Sequence, residues 1–396
     1  MVVNDPTNGY LTTIIGYMIP FGSHNDPLGK EGLANVLVDS YNYGTTKFPD
    51  ATKLFIELER TGAVFSAEAG REDLFIYLSV PRENVETAKQ LLDHIIEDVL
   101  TTEEILEKIK KTISTKRDEI QSDDRSQASK TFKEIVFQER PLLGTKESFL
   151  KINLDDVKDA QALVVSDRIL FRLIGPDNIQ IENKEYSHKR DLIKSKLTDR
   201  VRYLERDLEQ KVLYLGYQTP GSFGTNYEVR QVASSIIYSG LTGIAMDRIR
   251  HDLSAAYYTA YSHDVLIDRG TAYLFAGLSE KNVPLVAKIM LEIYQDVRSG
   301  RYDEKQFDMA KAYFKGKLDR AYDSPSGVIS LYLSYAIRGA PIPSYDDLVE
   351  GIAKVSKKDI SELFERFLSK GQPYLVVNGS LSEETRTKLQ DILSNA

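Results

Sequence analysis

Apolar positions along the chain follow two periods, and the order in which those periods appear is given twice. "YLTTIIGYMIPFG" (Tyr10 to Gly22) and "KVLYLGYQTPGSFG" (Lys211 to Gly224) are β-rich runs that lead through polar loops into helices. "AVFSAEAGREDLFIYLSV" (Ala63 to Val80) and "AAYYTAYSHDVLIDRGTAYLFAGLS" (Ala255 to Ser279) each place two β-rich runs around a polar turn and read as hairpins. "NVETAKQLLDHIIEDV" and "NVPLVAKIMLEIYQDV" then carry apolar residues at i, i+3, i+4 and i+7, the spacing of one helix face. A second amphipathic helix follows in each half. The first, "TTEEILEKIKKTISTKRDEI", opens with Thr101 and Glu104 at capping-box spacing. Each half closes on a β-rich run ending in glycine, "RILFRLIG" (Arg168 to Gly175) and "PYLVVNG" (Pro373 to Gly379).

The repeat, with a period of roughly 200 residues, sets the architecture. Hairpins supply antiparallel pairs, and the helices are grouped rather than alternating strictly with strands. The pattern predicts an α+β protein of two homologous α/β sandwich domains, with mainly antiparallel sheets and helices packed on one face, facing each other across a cleft. The expected divisions are 1–182, a charged and weakly periodic linker at 183–200, and 201–396.

Length agrees, since 396 residues exceed one ordinary core. Hydrophobic residues make up 42% and charged residues 28%, a globular composition. No apolar run approaches the ~20 residues that span a bilayer, so no membrane partner is expected. "MVVNDPTNGY" shows neither a secretory nor a transit signal, and a cytoplasmic location is expected. The absence of cysteine excludes disulfides, thiolate metal sites and cysteine nucleophiles. A net charge of −8, with basic clusters balanced by acids, argues against nucleic acid.

Candidate chemistry is sparse. The opening helix of the first half, within "EGLANVLVDSYNYGTTKFP", sets Asn35, Val38 and Asp39 on one face, a poor trio for a metal. The five histidines, His24, His94, His188, His251 and His263, include no pair at i, i+4. There is no G-x-S-x-G, and the glycine-containing segments lack phosphate-loop or dinucleotide spacing.

From "GSHNDPLGKEGLANVLVDSYNYGTTKFP" onward, however, the chain resembles the pitrilysin or insulysin-like zinc metallopeptidases, in particular the short branch that includes mitochondrial processing peptidase. That family carries G-S-x-x-[DE]-x-x-G-x-x-G-L-A-H-x-x-E-H, then a short hydrophobic stretch and G-T. Gly22, Ser23, Asp26, Gly29, Gly32, Leu33, Ala34, Gly44 and Thr45 stand in register. The resemblance implies a zinc ligand at Asn35, the general base at Val38 and a second ligand at Asp39, and none of the three keeps the family residue. A more distant glutamate ligand maps to Glu119, in "KRDEIQSDDRSQASKTF". The expectation is therefore no metal in this chain, with Asn35, Val38, Asp39 and Glu119 as degenerate zinc-site positions.

Two further segments look like the family. "TGAVFSAEAGREDLFIYLSV" resembles its substrate-pairing edge strand, which implies peptide binding at Phe65, Ser66 and Ala67. "DRIRHDLSAAYYTAY" resembles L-R-E-x-x-G-L-A-Y, with Arg250 and Tyr257 in the expected places and Asp252 and Ser254 as departures, Ser254 replacing glycine. The resemblance assigns Arg250 and Tyr257 to holding substrate and stabilising the reacting carbonyl. Taken together it implies the zinc-free subunit of a heterodimeric metalloendopeptidase, inactive alone, whose homologous partner carries the zinc. A non-catalytic structural core subunit and a peptide-binding homodimer of the same fold are the competing expectations.

Overall fold

A computed structural model describes residues 9–175, 178–182, 199–222, 226–251, 254–338, 340–369 and 371–395. The first half opens with β1 (Thr12–Ile19), α1 (Leu33–Ser40), α2 (Ala51–Arg60) and the hairpin β2 (Val64–Ala69) and β3 (Leu74–Pro81). Helices α3 (Val85–Glu97), α4 (Glu103–Ser122), α5 (Asp124–Phe137), α6 (Lys146–Lys151) and α7 (Leu154–Asp167) precede β4 (Ile169–Gly175) and β5 (Asn178–Ile181). The second half runs β6 (Val201–Leu204), β7 (Lys211–Pro220), α8 (Tyr227–Ile237), a π-helical turn Met246–His251, β8 (Tyr258–Val265) and β9 (Arg269–Leu278). Then come α9 (Val283–Arg298), α10 (Glu304–Ala321), α11 (Pro325–Ala336), α12 (Tyr345–Lys354), α13 (Lys357–Leu368), β10 (Tyr374–Asn378) and α14 (Glu383–Ser394).

The duplication is visible in the sheets. One has strand order β2-β3-β1-β4-β5 and the other β6-β10-β7-β9-β8, which read backwards places β8, β9, β7 and β10 where the first has β2, β3, β1 and β4. Only the fifth strand differs in direction: β5 runs antiparallel to β4, whereas β6 runs parallel to β10. This is the expected α+β architecture with mainly antiparallel sheets.

The chain condenses into two compact units, and neither is one contiguous half. One comprises Met1–Asp118, Arg140–Lys194 and Asp319–Ile342; the other comprises Glu119–Glu139, Ser195–Leu318 and Pro343–Ala396. A linear division near 183–200 thus follows the bulk of each unit but not two short stretches, which carry α5 and α11. Most of the expected linker, 183–198, lies outside the described residues.

The exchanged helices answer a packing need. In the first unit, Ile15, Tyr17 and Ile19 of β1 share a core with Val36 and Leu37 of α1 and Leu92 and Ile96 of α3. Ile14 and Met18 point to the opposite face and meet Val328, Ile329, Tyr332 and Leu333 of α11. In the second unit, Val212 and Tyr214 of β7 and Tyr273 and Phe275 of β9 pack on Ala128, Phe132, Ile135 and Val136 of α5. Helices α9 and α13 cover the reverse face. Helices therefore lie on both faces of each sheet, not on one as expected, because β1 and β7 are buried along almost their whole length.

The start of α4 also corrects the sequence reading. Thr102, not Thr101, caps it: its hydroxyl accepts from the Ile105 N–H at 3.2 Å, and Glu104 pairs with Lys108 one turn on. Among the described residues no helix is long and apolar enough to cross a membrane.

Phe132 tests the exchanged packing. It is fully buried, with its ring centroid 5.2 Å from Tyr273 and 5.7 Å from Tyr214. Phe132→Ala should destabilise the second unit by about 3–5 kcal/mol through lost burial and a residual cavity. Urea unfolding of the intact chain, followed by tyrosine fluorescence, measures it.

Candidate functional site

The first half of the site is a helix fixed from outside. Gly32, the N-cap of α1, has φ 101, and a Cβ there would meet Phe149 Cε1 at 2.7 Å, so glycine is required both by conformation and by space. The buried Asp26 carboxylate accepts from the Gly32 N–H at 2.7 Å and the Ala34 N–H at 2.8 Å, satisfying two of the helix's open donors. Arg140 holds the loop between them, donating to Glu31 Oε1 at 2.7 Å and to the Pro27 carbonyl at 3.3 Å. Burial pushes the Asp26 carboxyl up to about 7, although both backbone donors and Arg140 favour its charged form. At the exit, buried Thr45 contacts His94 Nε2 at 2.9 Å and accepts from the Phe48 N–H at 3.1 Å.

The three central positions of α1 have been taken over by the fold. Asn35 donates its amide to the Leu142 carbonyl at 2.9 Å and to Ser23 Oγ at 3.4 Å. Val38 belongs to the hydrophobic core. Asp39 is half-buried; desolvation raises its pKa, and the Lys116 ammonium on α4 opposes the rise. Sequence reasoning missed Lys116 and Arg140, since neither stands in the helix motif and only tertiary packing brings them to it. Glu119 is exposed near the end of α4, where its carbonyl accepts from Ser122 Oγ at 2.8 Å and the Asp123 N–H at 3.0 Å.

Phe65, Ser66 and Ala67 lie on β2, the edge of the first unit's sheet, opposite Leu78, Tyr77 and Ile76 of β3. Their other side is open to an added strand within that sheet's order.

In the second unit, Arg250 is the penultimate residue of the π-helical turn and Tyr257 leads into β8. The turn is closed by Ala255 N–H donating to the Ile249 carbonyl and Ser254 N–H donating to the Arg250 carbonyl, both at 3.1 Å. This is a helix-ending wrap with a left-handed residue before the last donor. Ser254 is that residue, at φ 47, a left-handed backbone that glycine adopts freely and serine only at a cost in strain. Asp252 lies outside the described residues. Tyr257 is pinned by its backbone, its N–H donating to the Gly277 carbonyl at 2.8 Å, while its side chain is 58% exposed. Arg250 is exposed too, and neither side chain has a hydrogen-bond or ion partner among the described residues. Arg248, two residues earlier, is by contrast held by Glu292 and, at 2.8 Å, by Asp296.

Two family descriptions match the chain in succession: Insulinase (Peptidase family M16) over residues 3–146 and Peptidase M16 inactive domain over residues 156–314. The chain belongs to peptidase family M16. Non-peptidase homolog YmxG of Helicobacter pylori is 26% identical over 365 residues, covering 84% of this chain and 81% of that protein. An uncharacterized zinc protease of Rickettsia bellii is 21% identical over 401 residues, covering 92% and 95%. Among solved structures, a protease from Helicobacter pylori superimposes with a TM-score of 0.79 at 14% identity over 93% of this chain and 95% of that one, a likeness of fold.

The M16 motif positions of this chain do not fit zinc. A zinc site needs at least three lone-pair donors converging on one point. Here the Asn35 amide is engaged by a backbone carbonyl and Val38 has neither a lone pair for a metal nor a basic atom for a water. Among the described residues no group of three or more His, Cys, Asp or Glu could hold a metal ion. This chain is an M16-family protein of the kind in which the zinc motif is degenerate.

Two measurements follow from this geometry. Asp26 has a folded pKa above its unfolded value of 3.8, so the stability tied to its proton is present below that value and is lost as pH rises towards 7. The loss amounts to ~4 kcal/mol at most. Asp26→Asn should flatten the stability profile between these pH values, and chemical denaturation across the range reads the slope. At the second site, Ser254→Gly should raise stability by a few tenths to ~1 kcal/mol, relief of the left-handed strain outweighing glycine's entropy. A lower melting temperature would contradict that.

Proposed function

We propose that this M16 chain is the zinc-free subunit of a heterodimeric peptidase and lends Arg250 and Tyr257 to a zinc site carried by a homologous partner subunit. The observation that carries the reading is the contrast within one turn. Arg248 is neutralised by two acids, whereas Arg250 and Tyr257 are presented to solvent without partners among the described residues. A guanidinium and a phenol together supply directional donors suited to a peptide carbonyl as its oxygen gains charge. Their backbone is held on both sides, by the wrap at Ala255 and by the bond from Tyr257 to Gly277, so the donors are placed before substrate arrives.

Peptide substrate would add as a strand to β2 at Phe65, Ser66 and Ala67. Pairing there is through backbone groups, so it tolerates Ser66 and Ala67 in place of the family's Asn-Ala. The metal, the attacking water and the general base belong to the partner, since Asn35 and Val38 supply none of them. A purely structural member of the family has no need of an unpaired arginine and an exposed tyrosine at these two positions.

Reconstitution with a homologue bearing the H-x-x-E-H motif tests this reading. The mixed complex should cleave an unfolded peptide with one zinc per pair of subunits, and this chain alone should not cleave. Arg250→Ala should lower kcat by about 10²–10³-fold, the usual cost of losing an oxyanion donor. Tyr257→Phe should lower it about tenfold or more, with co-elution of the subunits unchanged in both variants. Zinc-dependent cleavage by the chain alone, or an unchanged rate for Arg250→Ala in the complex, would overturn it.

A further inference from the structure

The second unit contains a cavity of about 850 Å³ lined by residues of β7, α9, α14 and the π-helical turn. Its floor is Tyr217, a side chain only 4% exposed and set edge-on against Tyr294 at 5.1 Å. The Tyr217 hydroxyl has no hydrogen-bond partner among the described residues, and burial pushes its pKa up to about 12. It is therefore a neutral O–H donor at any physiological pH, sunk in the floor of a cavity with its bond unmade. The hydroxyl opens onto the cavity, where an acceptor on a ligand can meet it.

The charges around the cavity sort themselves. Arg248 is neutralised by Glu292 and Asp296, and Arg301 shares Asp296 at 2.7 Å. That leaves Lys288 of α9 and Asp391 of α14, one cation and one anion at the solvent-exposed rim, each without an ion partner among the described residues. Leu291 and Ile392 supply apolar wall beside them.

We propose that this cavity binds a short peptide of a few residues, with its terminal carboxylate on Lys288, its terminal ammonium on Asp391 and a peptide carbonyl on the Tyr217 hydroxyl. The chemistry selects against other classes. A nucleotide or polyphosphate would bring several negative charges to a lining whose one unpaired cation among the described residues is Lys288, and would leave Asp391 opposed to it. A polyamine has the converse fault. An uncharged apolar ligand would leave both charges and the hydroxyl unanswered. Size selects as well, because cavities of ~300–1,000 Å³ accommodate drug-sized ligands, and a free amino acid fills little of one. The α9 and α14 helices pack against each other, so the two charged residues are carried on a shared support. The inference stands on this cavity alone and does not depend on the role given to Arg250.

Isothermal titration of the full chain with trialanine, trialanine amide, N-acetyl-trialanine and free alanine tests it. Trialanine should bind, and blocking either terminus should weaken binding about tenfold or more, the loss of one charge-assisted contact. Lys288→Met should abolish the difference between trialanine and its amide, and Asp391→Asn the difference between trialanine and its N-acetyl form. Tyr217→Phe, which keeps the ring and its packing, should weaken all three tripeptides by a similar factor. No heat from trialanine at millimolar concentration, or equal binding of free and blocked tripeptides, would overturn the proposal. Free alanine binding as tightly as trialanine would overturn the assignment to a peptide. Circular dichroism of each variant confirms that the fold is retained.

Discussion

A sheet whose central strands are apolar on both faces needs two covering layers, and in this protein the second layer of each sheet is a helix from the other half of the sequence. Ile14 and Met18 on β1 require α11, and Tyr214 and Phe275 in the second sheet require α5. Burial of large side chains such as Phe132 and Tyr332 is worth several kcal/mol apiece. Neither core is therefore complete until residues far apart along the chain have met. The two halves repeat one design, yet each unit is built from both.

The α1 region is held by groups other than those at its zinc-motif positions. Gly32, Asp26, Arg140 and Thr45 act on backbone groups, and what they hold is a helix start and a helix exit. Nothing in that arrangement depends on a metal. Once ligands are absent, a half-buried amide at position 35 finds a carbonyl, and an apolar residue at position 38 joins the core. The old motif becomes a packing element, and reverting it would mean displacing hydrogen bonds and core volume as well as changing letters.

The Arg250 segment shows the opposite behaviour. Its backbone is strained at Ser254 and fastened at Ala255 and Tyr257, while its polar heads remain unengaged among the described residues. Strain at a fixed turn beside exposed donors is what the role proposed for Arg250 and Tyr257 would require. The neighbouring Arg248 makes the distinction sharp, because the same residue type two positions away is fully employed in ion pairs.

Periodicity alone determined the framework common to both halves, a strand, an opening helix, a hairpin, two helices and a closing strand, because alternation and the 3.6-residue repeat are local properties of side-chain direction; it did not place α2, α5 to α7, α11 to α14, β5 or β6. Motif matching likewise located α1, the β2 edge and the Arg250 turn, since those features rest on residues adjacent in sequence. The exchange of α5 and α11 was not legible, because neither segment carries a marked apolar stripe and local pattern does not say which sheet a helix will cover. The same holds for Arg140 and Lys116 beside α1 and for Tyr217 beneath a cavity, whose meaning lies in neighbours contributed by distant segments. Even the capping of α4 moved by one residue, from Thr101 to Thr102, because the spacing of letters admits both and only the helix's actual first turn chooses between them. The sequence by itself determined the duplicated framework of elements and the departure from the zinc motif; tertiary packing decided which helix closes which core and which polar groups stay exposed.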